Sequence, residues 1–179
     1  MEAIHSVFDV VACGQDQDGS GVAAGTTLTL NGVVSGTSAL RKVGLGNLTL
    51  TAANTFVGDV TVTSTAANAL QVGVATAAAL NGIPDTALVT LGAGSTLAMS
   101  ATSETIGNLA GTGTVTTNQF AGTLSVGGKN TDATFGGLLT EQTGFALSLT
   151  KVGNGRLTLT NAANAFTGNL TVTGGVLDL

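Results

Sequence analysis

The sequence predicts an all-β protein whose short strands stack into a β-solenoid, and three observations lead to this fold class. Small residues dominate, since Gly alone supplies 27 of the 179 residues. Apolar residues alternate with Thr or Ser over short runs, as in residues 27–30 and 122–126, and the runs stop at Gly or Asn. This period of two is typical of strands, while Gly and Asn favour turns. One long segment also occurs twice.

The repeated segment is the strongest signal in the sequence. Residues 40–63 align with residues 149–173 after one inserted residue, Asn161, and 17 of 24 aligned positions are identical. The first copy reads LRKVGLGNLTLT followed by AANTFVGDVTVT, and the second reads LTKVGNGRLTLT followed by AANAFTGNLTVT. Identity at this level indicates one structural unit that is used twice.

Short strands with Gly and Asn corners fit a β-sandwich as well as a solenoid, and three features favour the solenoid. A sandwich needs large side chains to fill about 10 Å between its sheets, whereas this chain offers mostly Val, Leu and Ala. Tight hairpin signals are rare, the exceptions being Asn31-Gly32 and Asn81-Gly82. Repeated coils also let a chain of low complexity bury a continuous core. At about 20 to 25 residues per coil, roughly six to eight coils are expected.

Composition and charge exclude several classes of protein. Charged residues make up 8% of the chain and aromatic residues 3%, which leaves little material for the polar faces of helices. No stretch approaches the 18 apolar residues of a membrane span. With a net charge of −5 and five basic residues, the chain cannot form a stripe that follows nucleic-acid phosphates. Cys13 is the single cysteine, so no internal disulfide can form.

The repeated residues also resemble a known family. The pattern Leu-x-Lys-x-Gly-x-Gly-x-Leu-Thr-Leu-Thr-x-Ala-Asn-x-Phe-x-Gly, followed by Thr-Val-Thr, is similar to the autotransporter-associated β-strand repeat, also called the passenger-associated transport repeat. The resemblance covers roughly residues 25–179. It implies a right-handed, single-stranded parallel β-helix that is exposed outside a bacterial cell, usually as an adhesin or a stalk. Extracellular or cell-surface localisation is expected from the resemblance; residues 1–5 are acidic and no long apolar run follows them, so they show no signal-peptide pattern.

The domain organisation expected from these patterns has two parts. Residues 1–24 match nothing in the repeat and form a head segment, either a cap or a strand donated to a neighbour. Residues 25–179 form the solenoid domain with repeat units 40–63 and 149–173. We expect residues 171–179 to form an uncapped last coil. Two interpretations stay open: a complete chain that stacks head to tail into a fibre, or an excised, monomeric passenger fragment.

Few residues are candidates for chemistry. His5 is the single histidine, and we expect it to be an ordinary polar residue. Asp16 and Asp18 lie in an acidic loop with the alternating carboxylates of a calcium site, but the loop lacks a downstream Glu to close it. Calcium is therefore the one cofactor considered, and a solvated turn is preferred. Asp59 and Asp85 are isolated, so no catalytic carboxylate pair is predicted.

The repeat itself supplies the structural positions. We interpret its Asn as a corner residue whose amide bonds backbone groups, its Phe as a plug of the interior and its Lys as a solvated side chain. The equivalent pairs are Asn54 and Asn164, Phe56 and Phe166, Gly58 and Gly168, and Lys42 and Lys151.

The function expected from the sequence is an extracellular, non-enzymatic structural or adhesive solenoid that self-associates head to tail into filaments. The alternative is a monomeric passenger fragment that acts as an adhesin or stalk by binding a host or matrix glycan or protein surface. A glycan-degrading β-helix enzyme is the third hypothesis. No nucleic-acid partner and no membrane span are expected.

Overall fold

The fold is an all-β solenoid of about seven turns, as the sequence predicts. A computed structural model describes residues 8–9, 25–63, 68–72 and 81–179, with the backbone alone described at 8–9 and 68–72. These residues contain 18 strands and no helix. The described part of the chain therefore offers no helix with the length and apolarity that a membrane crossing requires.

The strands form three parallel faces that the chain visits in turn as it winds. Face 1 stacks eight strands, face 2 six and face 3 four. In stacking order, face 1 comprises β1 (Phe8–Asp9), β3 (Leu40–Lys42), β5 (Val60–Val62), β7 (Leu88–Leu91), β10 (Asn108–Gly111), β13 (Ala133–Phe135), β16 (Arg156–Leu159) and β18 (Val176–Asp178). Face 2 comprises β2 (Thr27–Leu30), β4 (Asn47–Leu50), β6 (Asn68–Val72), β8 (Ser95–Met99), β11 (Thr114–Thr117) and β14 (Leu138–Leu139). Face 3 comprises β9 (Ser103–Ile106), β12 (Gly122–Val126), β15 (Leu147–Lys151) and β17 (Leu170–Val172).

The core consists of columns of aligned side chains that run along the solenoid axis. On face 1, Val60 pairs with Val89 and Val89 with Leu109, and all three side chains are fully buried. Their neighbours along each strand point outward because successive residues alternate across a strand. The period-two pattern of the sequence therefore becomes a continuous apolar interior, one layer per coil.

The third side of the first coils is irregular, although its backbone is still paired. Residues 31–39 and 51–59 contain no strand, yet the Thr55 amide donates to the Val34 carbonyl and the Val57 amide to the Gly36 carbonyl, both at 2.9 Å. From β9 onward, regular strands occupy this side. Backbone hydrogen bonds between coils thus occur on all three sides, also where the third side has no regular strands.

The head segment contributes one short strand to the described structure. Phe8 pairs with Leu40 and Asp9 with Arg41, so β1 extends face 1 of its own chain. The remaining residues of the predicted head, 1–7 and 10–24, lie outside the described residues. The division into a head and a solenoid therefore stays a prediction.

Close packing between coils makes Gly111 irreplaceable by a larger residue. Its φ is +98°, and a Cβ placed on it would lie 2.1 Å from the Leu91 carbonyl oxygen in the preceding coil. The position lies in the inward column between Leu91 and Phe135. Only Gly allows this left-handed backbone at this distance.

Gly111→Ala should lower the free energy of unfolding by at least about 2 kcal/mol because backbone strain and a steric clash act together. Urea denaturation monitored by circular dichroism measures the change. Gly32→Ala is the matched control, since a Cβ there meets nothing within 4 Å. Equal loss of stability in the two variants would contradict this account of Gly111.

Candidate functional site

The first repeat copy contains a corner at which the chain forms no strand and the side chain of Asn54 makes the hydrogen bonds between coils. Asn54 Oδ1 accepts a hydrogen bond from the Val34 amide at 2.8 Å, and Nδ2 donates to the Gly82 carbonyl at 2.8 Å. Its own amide donates to the Asn81 carbonyl at 3.0 Å, while the next residue, Thr55, donates back to Val34. Asn54 therefore joins the preceding coil to the following coil, and it is almost fully buried.

The second repeat copy reproduces half of this arrangement. Asn164 Oδ1 accepts from the Leu139 amide at 2.9 Å, and Ala165 donates its amide to the Leu139 carbonyl at 2.9 Å. These are the same two bonds that join Asn54 and Thr55 to Val34. Among the described residues, the Nδ2 group of Asn164 donates no hydrogen bond.

The other repeat positions follow the same pattern. Phe56 is 3% exposed in the core, whereas Phe166 is half-buried. A Cβ on Gly58 would lie 2.4 Å from backbone atoms of the preceding coil, and one on Gly168 would lie 2.2 Å from such an atom. The glycines therefore permit close contact between coils, and the phenylalanines fill the space that each corner encloses.

Comparison with known proteins agrees with the repeat seen in the structure. The Passenger-associated-transport-repeat family model matches residues 40–64 and 149–179, which include both asparagine corners. Both copies of the repeated segment are thus similar to the passenger-associated transport repeat. No solved structure matches the chain.

One curated relative of this repeat protein is an adhesin. The chain is 42% identical over 158 residues to the Adhesin BmaC autotransporter of Brucella suis biovar 1 (strain 1330). The alignment covers 87% of this chain and 4% of the relative. The chain thus spans a small part of the length of the relative that it matches.

The two copies of the passenger-associated transport repeat lie on different faces of the solenoid. The first copy runs through β3, β4 and β5, which lie on faces 1, 2 and 1. The second copy runs through β15, β16 and β17, on faces 3, 1 and 3. The corner of Asn54 accordingly lies on the side of face 3 and that of Asn164 on the side of face 2. The repeat therefore specifies a local strand-corner-strand unit and not one face.

The repeat lysines are buried, so the expectation that they are solvated is wrong. Lys42 is 0% exposed, and its Nζ donates to the Val43 and Gly44 carbonyls at 2.8 Å each. Lys151 is 1% exposed, and its Nζ donates to the carbonyls of the next two residues and of Gly174. Each ammonium group thus satisfies carbonyls of the corner that follows its strand. Burial lowers the pKa of Lys151 below its ordinary value, and the charge of Asp132 opposes this effect.

Glu104 is a third buried ionisable side chain that holds a corner. Its Oε2 accepts from the Gly82 amide at 3.0 Å and its Oε1 from the Ile83 amide at 2.8 Å. Since Asn54 binds the other side of Gly82, the segment is held from both neighbouring coils. Burial raises the pKa of Glu104 to about 8; the two amide hydrogen bonds act against this rise and the charge of Asp85 adds to it.

The remaining candidate residues do not converge on a reaction site in the described structure. Asp59 accepts from the Leu88 amide at 2.9 Å and from Lys129 Nζ at 2.6 Å. Burial acts to raise the pKa of Asp59, but Lys129 and the amide bond leave it below its ordinary value. His5, Asp16 and Asp18, together with Cys13, lie outside the described residues. Within the described residues, no group of three His, Cys, Asp or Glu side chains could hold a metal ion.

The sequence contains a pattern that predicts the burial of Lys42 and Glu104, although the composition does not reveal it. Lys42 stands two residues after Leu40 within one strand, and Glu104 stands two residues before Ile106. Because successive side chains of a strand point to opposite faces, a residue two positions from an inward apolar residue also points inward. Lys is usually a surface residue, but the position of Lys42 in its strand places its side chain inside the solenoid.

Substitution of Lys42 tests the role of the buried ammonium group. Lys42→Met keeps most of the stem but leaves corner carbonyls without a donor, so the free energy of unfolding should fall by about 2 kcal/mol. Lys129→Met is the control, because its ion pair with Asp59 is exposed and should contribute less than about 1 kcal/mol. Urea denaturation measures both changes. A larger loss for Lys129→Met would contradict the assignment.

Glu104 should make the protein less stable as the pH rises. Its pKa rises from 4.5 in the unfolded chain to about 8 in the fold, so the unfolded state loses its proton first. The stability that comes from the neutral form is complete below pH 4.5 and is lost as the pH rises from 4.5 to about 8. Urea midpoints between pH 4 and 9 should show this slope, and Glu104→Gln should flatten it.

Glu141 provides a control of opposite sign. Its Oε2 accepts from the Thr167 and Leu147 amides, and the Thr167 bond chiefly lowers its pKa. The stability it contributes is present above its unfolded pKa and is lost as the pH falls through the folded value. Glu141→Gln should therefore leave the slope between pH 5 and 8 unchanged. If Glu141→Gln flattens that slope instead, the assignment to Glu104 is wrong.

Proposed function

We propose that the chain is a non-enzymatic segment of an autotransporter passenger that acts outside a bacterial cell as a rigid adhesive or stalk element. The observation that carries this proposal is the uninterrupted ladder of parallel strands, whose corners are built by the repeat itself. Such a ladder is quasi-one-dimensional, so each coil contacts only its neighbours and the rod extends by adding coils. The printed name of the relative, an autotransporter adhesin, supports the same function.

The chemistry of the described residues favours binding over catalysis. The buried ionisable side chains, Lys42, Lys151 and Glu104, are engaged with backbone groups of the corners. Outward positions of face 3 are uncharged, with Thr123 and Ser125 beside Ser148 and Thr150 on the neighbouring strand. A surface of this kind can contact a host or matrix glycan or protein through hydroxyl groups. We accordingly propose such a surface as the partner of the lateral faces.

A bead-binding assay tests the adhesive function. Beads coated with the purified chain should bind to cultured mammalian cells in a saturable manner, and free chain should compete with them. Beads coated with the Gly111→Ala variant, unfolded by mild heating, serve as the control for folded structure. Binding at the level of uncoated beads, or binding that free chain does not reduce, would refute adhesion. Release of reducing ends from acidic polysaccharides would instead support an enzyme.

We also propose end-to-end association as a second function. The described strands form parallel ladders, and a second copy can continue such a ladder in the same direction. Negative-stain microscopy of concentrated protein should show rods with an axial repeat of roughly 35 Å, given about 4.8 Å per coil. Single particles at every concentration would refute this second function.

A further inference from the structure

The corner between face 2 and face 3 carries two phenylalanine side chains outside the core. Phe120 lies between β11 and β12, and Phe145 lies between β14 and β15. Both are half-buried, and neither belongs to the residues that pack against the buried cluster. By contrast, Phe56 and Phe135 are 3% and 0% exposed in the core. The chain has no Trp or Tyr, so these phenylalanines supply the aromatic surface of this corner.

The two phenylalanines occupy equivalent positions in neighbouring coils. Gly122 in β12 pairs with Leu147 in β15, and the Gly122 amide donates to the Ala146 carbonyl at 2.9 Å. Phe120 and Phe145 each stand two residues before this pair, and the backbones of paired strands lie about 4.8 Å apart. Face 3 continues with β9 on one side and β17 on the other. The corner therefore lies within the solenoid and not at an end of the chain.

Hydrogen bonds hold the two corner segments together. The Thr117 hydroxyl donates to the Phe145 carbonyl at 2.5 Å and accepts from the Gln142 amide at 3.1 Å. The Gln119 amide donates to Gln142 Oε1 at 3.2 Å. The Phe145 amide donates to the Gln142 carbonyl at 2.9 Å and closes a turn in which Gly144 has a φ of +88°. The fold thus fixes the position of Phe145 before any ligand binds.

The same segments expose polar groups that the chain does not use. Gln119, Gln142 and Thr143 are exposed. Within the part of the chain that the structure describes, the side-chain NH₂ groups of Gln119 and Gln142 donate no hydrogen bond. Gln119 also has a φ of +75°, a left-handed conformation that is uncommon for residues other than Gly and is concentrated at functional sites. The corner therefore combines half-buried aromatic rings with amide groups that are available to a ligand.

The charge at this corner is engaged within the fold. Glu141 is the one charged residue in the segments 117–122 and 140–147. Its Oε2 accepts from the Leu147 amide at 2.9 Å and from the Thr167 amide at 2.8 Å, and its Oε1 accepts from the Thr167 hydroxyl at 2.7 Å. The two segments contain no Lys or Arg that could pair with a sulfate or carboxylate. An uncharged ligand is therefore the better match.

An aromatic ring beside amide groups suits a sugar. The C–H face of a pyranose ring is apolar with partial positive charge, which the negative face of a phenyl ring attracts. Amide side chains both donate and accept hydrogen bonds, so they match the hydroxyl groups around the sugar ring. An extended peptide would instead add to an open strand edge, and β12 is already paired with β9 and β15. The observations favour a neutral glycan over a peptide.

We propose that the corner formed by Phe120, Phe145, Gln119 and Gln142 is a binding subsite for a neutral, hexose-containing glycan. A pyranose ring stacks on the phenyl face of Phe145, and the glutamine amides bind its hydroxyl groups. This inference rests on the adhesive function proposed above, because it names a site and a class of glycan for that function.

Saturation-transfer NMR tests the subsite with cellobiose, lactose, mannobiose and chitobiose as neutral probes and a sulfated chondroitin tetrasaccharide as the acidic probe. At least one neutral probe should bind the unmodified chain. Phe145→Leu keeps an apolar side chain but removes the aromatic face, so it should weaken that binding about tenfold. Phe56→Leu is the matched control, since it makes the same change at a ring that is 3% exposed, and it should bind like the unmodified chain.

A second variant removes an amide without disturbing the fold. Gln119→Gly relieves the left-handed conformation, so the variant should stay folded and weaken binding about fivefold. Asn130→Gly is its control, because Asn130 is exposed, has a φ of +58° and lies at a different corner. Circular dichroism confirms that each variant is folded before binding is measured. If Phe145→Leu proves unfolded, Gln119→Gly and Asn130→Gly decide the result.

The possible outcomes separate this inference from the adhesive function. Weaker binding by Phe145→Leu and Gln119→Gly, with both controls unchanged, supports the subsite. The inference is overturned if no neutral probe binds, if these two variants bind like the unmodified chain, or if the acidic probe binds more tightly than every neutral one. Saturable binding of coated beads to cells would still support adhesion in each of those cases. If the beads also fail to bind, both proposals fail.

Discussion

The backbone ladder between neighbouring coils is the constraint on which the rest of the structure depends. Every coil lies about 4.8 Å from the next, and its amides and carbonyls must be paired at that spacing both in strands and at corners. Side chains at the tightest corners have no room, so Gly58 and Gly168 meet the backbone of the preceding coil directly. Where no strand is available, the side chain of Asn54 supplies the missing acceptor and donor.

The few charged residues act within this ladder and not on the surface alone. Lys42 and Lys151 donate to corner carbonyls, and Glu104 accepts from corner amides. A buried charge is costly unless it is hydrogen-bonded, and the corners provide such bonds because their carbonyls and amides converge outside the strands. Charged residues make up 8% of the chain, and these three bind corner carbonyls and amides.

The two copies of the repeat show how one motif can serve different faces of the rod. The motif fixes a strand, a corner and a second strand, and this unit works on faces 1 and 2 as well as on faces 3 and 1. Each Asn corner binds the preceding coil, and Asn54 also binds the following one. The adhesive function proposed above would use the lateral faces, where outward side chains such as Thr123 and Ser125 are half-buried.

The sequence by itself determined the fold class, the repeat unit and its similarity to the passenger-associated transport repeat, because alternation, Gly and Asn corners and internal identity are local properties of the chain. The same alternation also indicated that the side chains of Lys42 and Glu104 point inward. Only the tertiary structure decided which amides Glu104 meets, which coils Asn54 joins, and on which face each repeat copy lies. The contacts of Glu104 and Asn54 join residues about 20 to 30 positions apart, as between Asn54 and Gly82, and their geometry depends on how far each intervening coil turns. That turning is set by packing across the whole coil, which no local pattern encodes.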